Sequence, residues 1–526
     1  MRSKIEQTVK KAVRDLYGMV VEVEIQHPPS QNMGDYSTNI AFLLAKKVKN
    51  NPQEIANKIA NKINYGVIES ATNSSGFVNI KIKKEGWIKE LEKAISPEYG
   101  YKSWKKRERI LIEFVSANPT GPLTLAHARA AAFGDSLARI FESQGFDVDR
   151  EYYINDSGNQ IKNLGESLQL KIKELQGETV QYPLDTYKGD YIEDLAKKAK
   201  ERGITDYENF GVKEILKIIK KTLKRFRVRF DNWVSESKIK EIGKADRIIE
   251  DLKKVEPYPF EEKEGALWFT PGERGRVFTK SDRSYTYIVP DIAYHRYKFD
   301  RGYDKLIDLL GPDHIDHIPE LKKSLDFLGY PSKDLEIKII QWVTLKRGNE
   351  VIKMSKRSGK FITIDELLDE IGVDAARFFY LMRKSSVPMD FDLQLAKEES
   401  ERNPVYYVQY GYARISSLLD LAREKGYPVD LKEGLALLSR EEEWKLIKKI
   451  PEFKEVLEDA VEIREPHLLA YYLLDLSKLY HNFYQRVRII GGEEELIEPR
   501  LFLSNAVKNV LKEGLELLGV TTPERM

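Results

Sequence analysis

Apolar residues fall into two regimes along this chain. At both ends they recur at helical spacing, and in the middle they gather into short β-branched runs. The first 100 residues read as a small α+β domain, with an amphipathic helix at the start and a strand-like Gly76-Phe-Val-Asn-Ile-Lys-Ile82 near the end. Arg109 to Ala117 is an apolar run with a single charge, Glu113, and predicts a buried parallel strand. Asn118-Pro119 and Gly121-Pro122 break it into a tight loop. An Ala-rich helix is expected from about Leu125 to Gln144, with Gly145 as its cap, and Phe146 to Ile154 as a second strand. Strand, loop, helix and strand make a βαβ unit whose helix N-terminus points into a cleft, where anions bind. A second apolar run, Lys305 to Leu310, ends at Gly311-Pro-Asp-His314. Thr363-Ile-Asp-Glu366 reads as a capping box that opens a helix. From residue 403 the pattern is helical to the end, with loops near Gly426 and Gly491-Gly492.

The pattern divides the chain into four parts: 1–100; a nucleotide-binding α/β domain over 105–345, with a charged, mostly helical insertion at about 160–270; a region over 346–402 with a lysine-rich loop; and an all-helical domain over 403–526. Composition narrows the chemistry. The 526 residues hold no cysteine, which excludes disulfides, thiolate catalysis and Cys-based metal sites. The seven histidines show no zinc-like spacing, and His314 and His317 are their one close pair. Lys and Arg total 86 against 84 Asp and Glu, so a nucleic-acid partner would have to be met by locally concentrated positive charge. No signal peptide and no apolar run of membrane-spanning length is present, and a cytoplasmic protein is expected.

The residues that suggest chemistry lie at the breaks in the pattern. Lys353-Met354-Ser355-Lys356-Arg357 sits in a loop bracketed by Gly348 and Gly359. Two ammonium groups on flexible stems can follow the negative charge that builds on an α-phosphate and on departing pyrophosphate; a solvated basic loop is the competing explanation. His127 falls in the first turn of the Ala-rich helix, where it could meet a phosphate or simply cap the helix. Gly311 would let an adenosine approach the backbone and Asp313 would accept from ribose hydroxyls, or the segment is a plain turn. Glu113 needs a cation, either a ligand or a structural Lys or Arg. Tyr287 and Asp291, at i and i+4, share one face if that segment is helical.

Taken together, His127 and the later Lys-Met-Ser-Lys loop resemble the signatures of class I aminoacyl-tRNA synthetases. Ser116-Ala-Asn-Pro-Thr-Gly-Pro122, Tyr153-Ile-Asn-Asp-Ser-Gly-Asn-Gln-Ile161, Asn403-Pro-Val-Tyr-Tyr-Val-Gln-Tyr-Gly-Tyr-Ala-Arg-Ile415, Gly34-Asp-Tyr-Ser-Thr-Asn-Ile-Ala-Phe42 and the terminus Gly519 to Met526 narrow the resemblance to the arginyl-tRNA synthetase family. It implies a Rossmann-like catalytic domain with a parallel sheet, an N-terminal α+β domain that meets the tRNA D-loop and an all-α anticodon-binding domain. It implies ATP with Mg²⁺, L-arginine and tRNA(Arg) as partners, with no structural metal, no membrane and a monomeric chain. Glu113, Tyr287 and Asp291 are then expected at the guanidinium, and Ser116, Asn118 and His127 at the amino-acid backbone. Thr124, His127, Gly311, Asp313, His314, Met354, Ser355 and Lys356 are expected around ATP, with Lys353 as the second loop ammonium.

Phe77 and Asn79 share a strand face, and Tyr407, Gln409 and Arg414 lie near the start of the helical domain; they are the expected tRNA contacts, by stacking and hydrogen bonding. One signature departs from the family: where it reads His-x-Gly-His, this chain has Thr124-Leu-Ala-His127. A hydroxyl can donate to phosphate but carries no charge. A tRNA-binding regulatory protein descended from a synthetase is therefore the alternative from another class. A cysteine-specific class I enzyme would need a zinc–thiolate site that this chain cannot build.

Overall fold

The computed structural model describes residues 1–102, 108–241, 244–271, 275–348, 350–352 and 362–526. Helix Arg2–Tyr17 buries Ile5, Val9, Ala12 and Val13, one stripe at helical spacing. With helices Ile40–Val48 and Pro52–Ile63 it belongs to an α+β unit whose antiparallel sheet comprises β1 (Tyr36–Thr38), β2 (Ile68–Ser74) and β3 (Phe77–Ile82), in the order β1-β3-β2.

The middle of the chain is built on a five-stranded, wholly parallel sheet. Strands β4 (Arg109–Glu113), β5 (Asp147–Ile154) and β6 (Asn232–Ser235) run outward to one side. A small antiparallel sheet follows, β7 (Phe260–Lys263), β8 (Ala266–Phe269) and β9 (Arg276–Thr279). The chain then returns to the other side of β4 as β10 (Lys305–Leu310) and β11 (Leu335–Ile339). The order β11-β10-β4-β5-β6 puts the topological switch between β4 and β10, and ligands bind beyond the carboxyl ends of the strands at such a point. A third small sheet, β12 (Val343–Arg347), β13 (Glu350–Val351) and β14 (Met389–Asp392), has the order β13-β12-β14. After a short helix, Leu393–Lys397, five longer ones follow, Pro404–Glu424, Glu441–Lys449, Glu452–Ile463, His467–Arg486 and Glu494–Leu517. Among the described residues, no helix is long and apolar enough to cross a membrane.

The βαβ unit forms as predicted. Its helix spans Leu125–Ser143, and Gly145 takes the left-handed conformation (φ 87°) that ends it. One expectation changes. The first strand ends at Glu113 rather than Ala117, because Ser116 N–H donates to the Phe114 carbonyl (2.9 Å) around a Val115 held at φ 69°. This is the strained form of a γ-turn, and it takes the chain off the sheet. The 160–270 segment is mostly helical, with strands among its helices. Helices Asn159–Glu174, Asp190–Glu201 and Tyr207–Arg225 are followed by β6, which extends the main sheet, by helices Glu236–Glu241 and Lys244–Leu252, and by β7 to β9. Four residues of mixed polarity, Asn232-Trp-Val-Ser235, are too few to show a period.

One buried guanidinium joins three of these parts. Arg377, on helix Ile364–Leu381, pairs with Asp135 of the βαβ helix (2.7 Å) and donates to the carbonyls of Leu518 (2.8 Å) and Phe226 (3.0 Å). Neither side chain of the pair is exposed. At Gly519 (φ 68°) a Cβ would collide with the guanidinium, so the terminal turn needs glycine twice over. Arg377→Met should destabilise the protein by about 3 kcal/mol, the low end for breaking a buried pair, because Arg139 still reaches Asp135 (2.8 Å). Urea unfolding should show an earlier midpoint, and limited proteolysis should show earlier cleavage after Leu517.

Candidate active site

Three carboxylates stand in a row across the switch point. Glu113 on β4 has Glu151 on β5 and Asp308 on β10 as its parallel neighbours, and all three are buried. Like charges on adjacent strands repel. The row is held by cations and donors from helix Ile288–Asp300 and the residue after it. Lys298 Nζ bonds Glu113 Oε2 and Asp308 Oδ1 (the latter 2.7 Å), and Tyr294 OH donates to Glu151 Oε1 (2.6 Å). Arg301 pairs with Glu151 Oε2 (2.6 Å), and His295 Nε2 lies 2.7 Å from Asp308 Oδ2. Burial would push the Lys298 ammonium down, but Asp308, Glu113 and Glu151 outweigh it and raise its pKa. Burial likewise opposes ionisation of Asp308, yet Lys298 and His295 hold it down at about 2. Glu113 thus has the structural lysine that its sequence context left open, together with Ser116 Oγ on its other oxygen (2.8 Å).

The strained turn after β4 delivers Ser116 to this position, where its hydroxyl also accepts from Tyr153 N–H (3.1 Å). Two residues on, Asn118 Nδ2 donates to Gln160 Oε1 (2.7 Å). Gln160 lines a cleft of about 450 Å³ with Asn155, Glu236, Asp246, Tyr285 and Tyr287. Tyr287 caps helix Ile288–Asp300 and is 90% exposed; Asp291 lies in the first turn, 3.8 Å from His317 Nε2. Tyr153 reports the field here. Burial raises its hydroxyl, and the charges of Glu236, Asp291, Glu113 and Asp156 raise it further.

At the N-terminus of helix Leu125–Ser143, Thr124 is the cap. Its N–H donates to His127 Nδ1 (2.9 Å), and its buried hydroxyl lies 3.1 Å from the same nitrogen. Thr124 also bridges Thr363, and Ile364 N–H donates to the Leu123 carbonyl (2.9 Å). Thr363 and Glu366 form the capping box expected of them. The lysine-loop residues Lys353, Met354, Ser355 and Lys356 lie outside the described residues, but the chain that follows them is fastened to the first signature. Gly311, Asp313 and His314 come directly after β10, at the carboxyl edge.

The candidate RNA contacts separate into exposed and buried. Phe77 is 36% exposed and meets the Phe42 ring at 5.2 Å. Asn79 is buried and accepts from Ser37 Oγ (2.7 Å). In the helical domain Arg414 stacks on Tyr410 (4.5 Å) and Tyr484 (5.1 Å), while Tyr407 packs on His481 (4.5 Å). Gln409 points the other way: it is buried, and its amide donates to Asp374 and to the Thr521 carbonyl (2.9 Å each). Sequence reasoning missed Lys298, Gln160 and Glu236. Lys298 had a faint signal, since the lone carboxylate Glu113 called for a cation, but no spacing in the sequence names its partner. Among the described residues, no group of three or more His, Asp or Glu side chains could hold a metal ion.

A parallel sheet with an acidic cleft beyond the carboxyl ends of its strands β5 and β6, a helix following β4 and an appended helical domain is the architecture of a class I aminoacyl-tRNA synthetase. Family models agree: the arginyl tRNA synthetase N terminal domain matches residues 1–82, the class I (R) tRNA synthetase catalytic domain 90–384, and the DALR anticodon binding domain 408–526. The arginine–tRNA ligase of Geobacter sp. (strain M21) is 42% identical over 534 residues, covering 97% of this chain and 96% of the relative. A putative arginyl-tRNA synthetase from Campylobacter jejuni superposes with a TM-score of 0.78 at 34% identity, over 85% of this chain and all of the other. The Thermus thermophilus arginyl-tRNA synthetase shares the fold along the full length of both chains, with a TM-score of 0.81 at 24% identity. The chain belongs to the arginyl-tRNA synthetase family, the arginine–tRNA ligases.

The acid row makes stability depend on pH. Asp308 titrates at about 2 in the fold against an ordinary 3.8, so it stabilises the folded state above 3.8 and loses that contribution as pH falls toward 2. The urea midpoint should drop across that interval, and Asp308→Asn should flatten part of the drop.

Proposed function

We propose that the cleft holds L-arginine and ATP side by side. The arginine carboxylate attacks the α-phosphorus, the bond to the β-phosphate oxygen breaks, and arginyl-adenylate and pyrophosphate result. The terminal ribose hydroxyl of tRNA(Arg) then attacks the adenylate carbonyl, and AMP leaves. No side chain needs to become covalently attached, so catalysis consists of positioning and charge stabilisation.

In this reading Tyr287 and Asp291 receive the guanidinium, Glu113 adds its charge while its oxygens stay bonded to Lys298 and Ser116, and the carboxylates Glu236 and Asp246 that line the cleft support a cationic substrate. Ser116, Asn118 and His127 orient the amino-acid backbone. Gly311, Asp313 and His314 take the adenosine, while Lys353, Met354, Ser355 and Lys356 meet the phosphates with Thr124 and His127. Mg²⁺ would be held by phosphate and water rather than by a protein cage. Phe77, Tyr407 and Arg414 stack on tRNA, with Asn79 and Gln409 supporting them from inside the fold. A single copy of the chain acts in the cytoplasm.

One contact carries the nucleotide half of this reading: the Thr124–Thr363 bridge fastens the chain that follows the lysine loop to the helix N-terminus bearing His127. The direct test is charging of tRNA(Arg) by the unmodified protein with ATP and each of the twenty amino acids. Charging with arginine alone is expected. Binding of tRNA without charging would instead leave a regulatory tRNA-binding protein.

Lys356→Ala should lower arginine-dependent pyrophosphate exchange by about two to three orders of magnitude, with arginine affinity nearly constant. Exchange within twofold of the parent would remove the loop from the mechanism. Asp291→Asn keeps shape and removes charge, so the KM for arginine should rise sharply and discrimination against uncharged citrulline should weaken. Steady-state kinetics with both amino acids checks this, and an unchanged arginine KM would sink the pocket assignment.

A further inference from the structure

We infer that Arg129 is a positioning residue for the nucleotide side of the active site, fixing the small sheet from which the lysine loop extends. Arg129 lies two residues beyond His127 on helix Leu125–Ser143, and its side chain is completely buried. Nη1 donates to the Gln341 carbonyl (2.7 Å), and Nη2 donates to the carbonyls of Lys384 and Val387 (2.9 Å each). These three carbonyls lie at the roots of one structure. Gln341 stands just before β12 and Val387 just before β14, and β12 and β14 pair in parallel from Val343 and Met389 onward. Strand β12 turns into β13, which leads to the lysine loop, and the chain leaving that loop bridges from Thr363 back to Thr124. One planar fork thus spans the bases of both paired strands, and a lysine ammonium on a single stem cannot reproduce that grip.

The Arg129 guanidinium is held by carbonyls rather than by an acid. Among the described residues it has no carboxylate within ion-pair distance, and its Nε has no hydrogen-bond partner. Burial pulls its pKa down to about 10, with Glu465 pushing weakly back. A buried cation without a bonded anion is costly, and here the three carbonyl bonds offset that cost. What the guanidinium supplies is three fixed points. The turn it holds is gripped from the far side as well. Ser385 donates through Oγ to Glu465 Oε1 (2.6 Å) and through N–H to Oε2 (3.1 Å), and buried Glu465 also holds Lys338 (3.1 Å). Arg129 and Glu465 therefore clamp residues 384–387 between the signature helix and the helical domain.

The inference rests on the reading that Lys356 acts on the phosphates, and the test separates the two. Pyrophosphate exchange is measured with tRNA(Arg) present for Arg129→Lys, Ser385→Ala, Lys356→Ala and the double variant Arg129→Lys/Lys356→Ala, per active site counted by adenylate burst. Arg129→Lys should lower kcat by about tenfold or more while the arginine KM stays within about twofold. Because Arg129 acts through the loop, the double variant should lose little beyond Lys356→Ala alone. Ser385→Ala, which removes one side-chain bond at the same turn, should lower kcat by about threefold and serves if Arg129→Lys does not fold. Unchanged kcat per site in folded Arg129→Lys or in Ser385→Ala, or losses that multiply in the double variant, would overturn the role of Arg129. An unaffected Lys356→Ala would overturn the nucleotide-site reading itself.

Discussion

The row of carboxylates Glu151, Glu113 and Asp308 is the constraint from which the site is built. Three acids at one level on neighbouring strands are tenable only with cations between them, and Lys298 and Arg301 supply these from a single helical segment. Tyr294, His295 and Lys298 come from one helix, with Arg301 directly after it, so the helix cannot rotate or slide without stranding buried charge. Its first turn carries Asp291, and its cap is Tyr287. The electrostatics of the sheet thereby set the register of the helix that begins at the cleft, and the position of the candidate arginine pocket follows from ion pairs deeper in the protein.

Helix Leu125–Ser143 is the second organising element. Its successive turns are spent on different partners: Thr124 on the chain that follows the lysine loop, Arg129 on the roots of the small sheet, Asp135 on Arg377 and, through it, on the C-terminal tail. The helix is short of solvent almost everywhere, with Ala128, Ala131, Ala132 and Ala138 allowing close approach. The Ala-rich composition that marked it as a helix also lets so many elements meet on it.

Local pattern made much of this architecture legible. The βαβ unit, the strand Lys305–Leu310, the capping box at Thr363 and the helical last third all follow from periodicity and punctuation within a dozen residues. What pattern could not show depends on pairing across long separations. Lys298 and Glu113 are 185 positions apart, and Arg129 and Gln341 are 212 apart; neither has a local signature. The γ-turn at Val115 was hidden because a β-branched residue at positive φ contradicts propensity, and such exceptions are tolerated where surrounding contacts enforce them. Gln409 shows the converse: a polar residue in an RNA-like motif is buried, joining Asp374 to the tail. Family resemblance placed the candidate site residues within sequence motifs, but it could not say which side chains are engaged inside the fold.

The Thr124 cap also determines the tautomer of a ring. A backbone N–H can only donate, so the nitrogen it meets, His127 Nδ1, must offer its lone pair. In the neutral imidazole the single proton then resides on Nε2, placed there by the main chain. His127 can therefore present an N–H donor at the helix N-terminus without carrying charge. Threonine in place of the first signature histidine leaves this arrangement intact, because the atom that sets the tautomer is the amide nitrogen of residue 124, which any residue except proline would provide.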